Sequence, residues 1–229
     1  MAAAVVDQRE QAPSATVLIV EDHVLLADGL AVSLRREGIV TEVVDGSTCE
    51  GIMEAAWRLR PDVVLLDLVL GDEVGLSIPL IAHLRETGAR VLMLTGVTDP
   101  ALLGSCVEAG AAGLVSKSES FDTVLDKLSR AVRRQTTLHA SERERMLGSL
   151  RTRRAEERAR VAPFERLTGR ERVVLGALMD GASAEEIAKA SFVSMATVRS
   201  QIRSILEKLG VHSQVAAVAL AHRARWEPC

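Results

Sequence analysis

Tyrosine is absent from this chain, and only three Phe and two Trp are present in 229 residues. So few aromatic faces exclude a stacking platform for single-stranded nucleic acid. Cysteine is scarce as well. Cys49, Cys106 and Cys229 lie far apart, with no metal-ligand spacing and no pairing pattern. That excludes a disulfide scaffold and a zinc cluster and points to a reducing, cytoplasmic setting. Cys229, the last residue, is expected to be an exposed thiol. No run approaches the roughly 20 apolar residues of a membrane helix, so no membrane partner is expected. Residues 1–14 carry acids and no long apolar run, and read as a floppy tail rather than a signal peptide.

What is present is enough for packed cores. The hydrophobic fraction is 48 %, and the length accommodates two domains. The net charge of −3 hides an asymmetry. Residues 1–135 hold 12 Lys and Arg against 20 Asp and Glu, a net −8. Residues 136–229 hold 16 against 11, a net +5. A basic second half is suited to a polyanion, although chance clustering gives imbalances of this size too.

The first half alternates strand and helix. TVLIV (16–20), IVTEVV (39–44), DVVLLD (62–67), RVLMLT (90–95) and AGLVS (112–116) are apolar, β-branched runs of the kind buried on both faces. Helical stretches lie between them at about 24–37, 48–60, 74–87 and 100–110, and a fifth follows at 121–134. Asp99-Pro100 supplies an N-cap and a first-turn proline. Five strands and five helices predict an α/β, doubly wound, five-stranded parallel sheet. Function in such sheets collects at the carboxyl ends of the strands.

Those ends carry the chemistry. Glu21 and Asp22 follow the first strand, Asp67 ends the third, Thr95 ends the fourth and Lys117 follows the fifth. Clustered carboxylates invite a hard cation such as Mg²⁺. Asp67 in such a pocket is a nucleophile able to form an acyl phosphate. Lys117 would neutralise phosphoryl charge, and the Thr95 hydroxyl would hydrogen-bond the attached group. Taken singly, each residue has a bland reading as a turn, a cap or a surface group. The combination, each in its strand-end slot, favours the chemical one.

Residues 136–163 are charged and only weakly periodic, and read as a helical linker ended by Pro163. A dimerising coiled coil is not supported, since Leu147 and Leu150 do not continue into heptads. From 164 on the pattern is all-helical. Thr168…Glu171 and Ser183…Glu186 are capping boxes that open helices at 169–179 and 184–190. A longer helix follows at 195–209, ended by Gly210, and a last one at 213–223. Val198, Ile202, Ile205 and Leu209 form a buried stripe on the longer helix. Its other face shows Thr197, Arg199, Ser200 and Arg203, groups that reach phosphates and base edges in a major groove. A plain helical module with solvated arginines would look the same.

Whole motifs carry more. VLIVEDH (17–23), DVVLLDLVLGDEVGL (62–76), VLMLTG (91–96) and AAGLVSK (111–117) make residues 15–135 resemble a two-component receiver domain of the flavodoxin-like kind. LTGRERVVLGALMDGASAEEIAKASFVSMATVRSQIRSILEKLGV (167–211) makes residues 164–229 resemble the LuxR-type helix-turn-helix of NarL/FixJ response regulators. The resemblance implies a transcriptional response regulator rather than an enzyme. It would be phosphorylated on Asp67 by a sensor histidine kinase and would bind double-stranded DNA, commonly as a homodimer. Mg²⁺ would be held by Glu21, Asp22, Asp67 and the backbone carbonyl of Val69, with Thr95 and Lys117 completing the reaction site. Arg199, Ser200 and Arg203 would read bases, while Ser194, Thr197, Gln201 and Lys208 would contact phosphates. The second, smaller all-α domain would thus hold the DNA-binding surface.

This chain departs from the pattern at Leu114, where receivers carry Tyr or Phe that swings inward with the threonine. Ser118 and Gly71 stand where proline is common. Gln201 and Gln214 stand where His and Arg are common. Leu114 keeps a second reading open, a phosphorylation-independent regulator whose receiver is a dimerisation platform. A Mg²⁺-dependent phosphohydrolase is a third reading. It lacks a general acid two residues after Asp67, where Val69 stands.

Overall fold

The computed structural model describes residues 15–228. The tail expected at 1–14 and the thiol of Cys229 lie outside the described residues. The chain divides between Arg151 and Thr152 into two compact units.

In chain order the first unit contains β1 (Thr16–Val20), α1 (Val24–Arg36), β2 (Val40–Val44), α2 (Cys49–Leu59) and β3 (Val63–Asp67). Two short strands follow, β4 (Val69–Leu70) and β5 (Gly75–Leu76), then α3 (Ile78–Glu86), β6 (Arg90–Thr95), α4 (Pro100–Ala109), β7 (Gly113–Ser116) and α5 (Phe121–Val132). The five long strands form one parallel sheet in the order β2-β1-β3-β6-β7. Side chains alternate across a strand, and the two faces of the sheet divide accordingly. Leu18, Val20, Val64, Leu66 and Met93 pack with residues of α2, α3 and α4. Val17, Ile19, Val63, Leu65 and Leu94 pack with residues of α1 and α5. Both cores are apolar, which explains why the strand sequences read as unbroken hydrophobic runs.

Two boundaries differ from expectation for local reasons. The helix expected from residue 74 starts at Ile78, because Gly75 adopts a φ of +63° and pairs in the short β4–β5 hairpin. A left-handed residue cannot sit inside a helix, and Pro79 then opens the next one. The helix of the expected linker, α6 (Ala140–Glu165), passes through Pro163 instead of stopping there. Proline forfeits one amide bond, but only two residues of helix remain. The adjacent Phe164 is buried and stacks on Trp226 with ring centroids 5.3 Å apart.

The start of that segment is also structured. Thr137 donates its hydroxyl to the carbonyl of Ala112 at 2.7 Å. Leu138 and Met146 belong to the core beside α4, and Leu150 is buried as well.

The second unit is helical: α7 (Gly169–Met179), α8 (Ala184–Ala190), α9 (Met195–Leu209) and α10 (Gln214–Ala224). Both predicted capping boxes form. Val198, Ile202, Ile205 and Leu209 are all buried, in one core with Leu175, Ile187, Ala217 and Trp226. No described helix is long and apolar enough to cross a membrane.

Candidate functional site

The five strand-end residues of the first unit meet at one end of the sheet. Glu21, Asp67 and Thr95 are buried there, at 1 %, 3 % and 4 % exposure. Lys117 Nζ donates to Asp67 Oδ2 at 2.8 Å and to Glu21 Oε1 at 2.9 Å. The parallel register sets this up, since β3 and β6 run side by side and Lys117 follows β7 directly. Burial pushes the Asp67 carboxyl up. The Lys117 hydrogen bond opposes that shift, and the Glu21 charge adds to it. Burial alone would pull Lys117 down, but Asp67 and Glu21 outweigh it and the ammonium is held above its usual range. The pocket therefore keeps a cation against the carboxylate that is to react.

Around this pair lies an open cleft of about 510 Å³, lined by Asp22, Asp67, Val69, Thr95 and Lys117 among others. Asp22 Oδ2 accepts the N–H of Gly71 at 3.1 Å, which holds the loop after β3 over the pocket. Val69 donates its N–H to Asp67 Oδ1 at 3.4 Å. The Thr95 hydroxyl accepts the N–H of Val97 at 2.9 Å, which leaves its own proton as a donor.

The residues present suit a hard divalent cation. One ligand atom each from Glu21, Asp22, His23 and Asp67 lies within 4.8 Å of the others. Glu21 Oε2 is buried and makes no hydrogen bond, although Lys117 Nζ is 2.9 Å away. A buried carboxylate oxygen without a donor is costly unless a cation faces it.

Two residues here escaped the sequence reading. His23 Nδ1 lies 2.9 Å from both Glu21 and Asp22, and its hydrogen bond to Glu21 raises the imidazole pKa. Ser77, wholly buried, donates its hydroxyl to the carbonyl of Asp67 and fixes the backbone there. His23 was legible by its place beside the acidic pair. Ser77, ten residues from Asp67, had no sequence signal.

In the second unit, Ser194 caps α9 by accepting the N–H of Thr197 at 3.1 Å, and the two hydroxyls are 2.9 Å apart. Arg199, Ser200 and Arg203 are exposed, and Gln201 is half-buried. An exposed cationic face at the start of a 15-residue helix is a match for a phosphate backbone. Lys208, expected on a phosphate, is drawn instead to the carboxylate of Glu171, with contacts of 2.6 and 2.8 Å. Glu171 also accepts from Ser204 Oγ at 2.6 Å and from the Thr168 N–H at 2.7 Å. Burial would raise its pKa, but these donors outweigh burial and lower it to about 2. The carboxylate thus ties α9 to the start of α7. The capping-box motif had located Glu171, but not its partners across the domain.

Comparison with known proteins follows the same division. Residues 17–129 match the response regulator receiver domain. Residues 165–221 match the bacterial regulatory proteins of the luxR family. The nitrate/nitrite response regulator protein homolog of Haemophilus influenzae is 32 % identical over 206 residues, covering 89 % of this chain and 94 % of that one. The transcriptional regulatory protein LiaR of Bacillus subtilis is 30 % identical over 210 residues, covering 90 % and 96 %. Among solved structures, the complex of the two-component response regulator RcsB with DNA shares the fold. Its TM-score is 0.50 at 23 % identity, over 91 % of this chain and 98 % of that one.

Proposed function

Because the chain belongs to the NarL/FixJ family of two-component response regulators, we propose a division of labour between its two units. The protein is a DNA-binding, phosphorylation-activated transcription regulator. In our reading Asp67 is the phosphoacceptor. The observation that carries it is the buried Asp67–Lys117–Glu21 arrangement at the strand ends. An Asp67 oxygen attacks the phosphorus of a phosphohistidine on a sensor kinase. The P–O bond forms, the P–N bond breaks, and the imidazole nitrogen leaves with the electron pair. Lys117 stays beside the new acyl phosphate, and the Thr95 proton is available to a phosphoryl oxygen. Glu21, Asp22, Asp67 and the Val69 carbonyl are the residues that would hold Mg²⁺. Its charge would offset that of the phosphoryl oxygens.

In the second unit, Arg199, Ser200 and Arg203 would reach base edges, and Ser194, Thr197 and Gln201 the flanking phosphates. Lys208 would act through Glu171, by holding α9 in place. The phosphorylated chain pairs in the cytoplasm and reads two half-sites, about one helical turn of duplex apart.

Analytical ultracentrifugation with Mg²⁺, with and without beryllofluoride, tests this reading. A monomer that becomes a dimer with the mimic, but not in Asp67→Ala, supports it. A mass unchanged by bound mimic defeats it. That result would favour a receiver that works without phosphorylation. One observation supports this second reading: Leu114 is buried in the core beside α4, so no aromatic side chain is present to swing inward.

A further inference from the structure

The helix α4 (PALLGSCVEA) has a single charged residue, Glu108. A helix apolar all round needs cover on both sides, whereas a helix lying on one face of a sheet gets cover on one. Ala101, Leu103, Gly104, Cys106 and Val107 are all buried. The sheet covers part of α4, and the first three turns of α6 cover another part. The contact is backbone to backbone. A Cβ placed on Gly104 would lie 2.4 Å from the carbonyl oxygen of Met146, 2.9 Å from its carbon and 3.1 Å from Leu150 Cβ. Only glycine admits α6 at this distance.

We infer that residues 137–151 are a clasp on α4 that phosphorylation of Asp67 opens, uncovering the α4 face for a second copy of the chain. The inference rests on the phosphoacceptor reading above. Three observations carry it. First, the clasp is lightly held, by the Thr137 hydrogen bond and by Leu138, Met146 and Leu150. The exposed residues of its helix, Ser141, Arg143, Glu144 and Arg145, are polar. Such a contact is within the 5- to 150-fold range, roughly, over which one site biases another. Second, the clasp is wired to the pocket. Val97, tied to the Thr95 hydroxyl, packs against the same core as Leu103, Leu114 and Met146, and α4 begins three residues later. Third, the residue in the aromatic switch position, Leu114, touches no switch of its own. It shares its core with Met146 of the clasp, so movement at Thr95 has α4 and α6 as its outlet. Once α6 lifts, α4 presents an apolar face that a second α4 can cover.

Hydrogen exchange and sedimentation of the full chain test this together. In the unmodified protein with Mg²⁺, peptides from 137–151 are expected to be protected. Beryllofluoride should raise their exchange about tenfold while protecting the 95–99 loop. Gly104→Ala, which blocks the seat by its Cβ, should give the same fast exchange and a dimer without the mimic. Met146→Ala with Leu150→Ala, which loosens the clasp and leaves α4 intact, should do likewise. Unchanged protection of β1 and β3 would show that the variants are folded. If the mimic orders the 95–99 loop and the clasp stays protected, the inference is wrong and the phosphoacceptor reading stands. If the mimic changes neither segment, both fall. If the variants open the clasp and remain monomers, the second copy is not the occupant of α4 and the inference is overturned.

Discussion

Glu171→Gln is the perturbation whose size follows most directly from the structure. Its carboxylate accepts bonds from Lys208, Ser204 and Thr168, and its pKa falls from 4.5 to about 2. A shift of this size corresponds to roughly 3 kcal/mol of preference for the charged form in the folded state. The carboxylate is covered but close to the surface, and Lys208 remains partly solvated. Solvent screening therefore reduces the figure to about 2 kcal/mol. The folded pKa is depressed, so this stability is fully present above pH 4.5 and is lost as pH falls toward 2. Glu171→Gln should therefore cost about 2 kcal/mol at pH 7, and the difference from the parent should vanish as the pH is lowered through that window. Trp226 lies in the core of the helical unit and Trp57 is half-exposed in the other unit. In a Trp57→Phe background, urea unfolding followed by Trp226 fluorescence reports the helical unit alone. A difference below about 0.5 kcal/mol at pH 7, or one that does not change between pH 5 and pH 2, would refute the reasoning.

Asp67→Ala should abolish acyl-phosphate formation, read as loss of a base-labile phosphoprotein band after incubation with a kinase or a small phosphodonor. Persistent labelling would move the acceptor elsewhere. Arg199→Ala should weaken specific DNA binding by about 1–3 kcal/mol, measured by fluorescence anisotropy on a selected duplex at fixed salt. Unchanged affinity would remove Arg199 from the base-reading set. Phe192 is 96 % exposed and held at a φ of +54°, where an L side chain is strained. Phe192→Asn should raise the stability of the helical unit by about 0.5–1 kcal/mol, and a lowered melting midpoint would contradict this.

Several elements were legible from local chemistry alone. The run VVLLD is a strand because its residues are apolar and branched, and it is fully buried. Thr168…Glu171 and Ser183…Glu186 open helices because their side chains satisfy amides at a distance set by three residues of chain. The pocket was legible because a parallel sheet brings all strand ends to one edge, whatever lies between them. Boundaries that depended on non-local partners were not. The helix expected at residue 74 gave way to the β4–β5 hairpin, and the linker expected at 136 began as part of the first core.

The order of apolar runs, caps and turns determined, from the sequence by itself, an α/β sheet followed by a helix-turn-helix. It also placed Glu21, Asp22, Asp67, Thr95 and Lys117 in one pocket. These follow from interactions within a few residues and from the chirality of parallel crossovers. Tertiary structure alone decided that Lys208 binds Glu171, that Ser77 holds the Asp67 carbonyl and that Met146 rests on Gly104. Each is a contact between residues 10 to 42 positions apart, set by how helices and loops pack once the elements exist. A charged stretch such as ASERERMLGSL shows no periodicity that distinguishes a solvated tether from a clasp. Two buried side chains and one glycine on the facing helix make the difference.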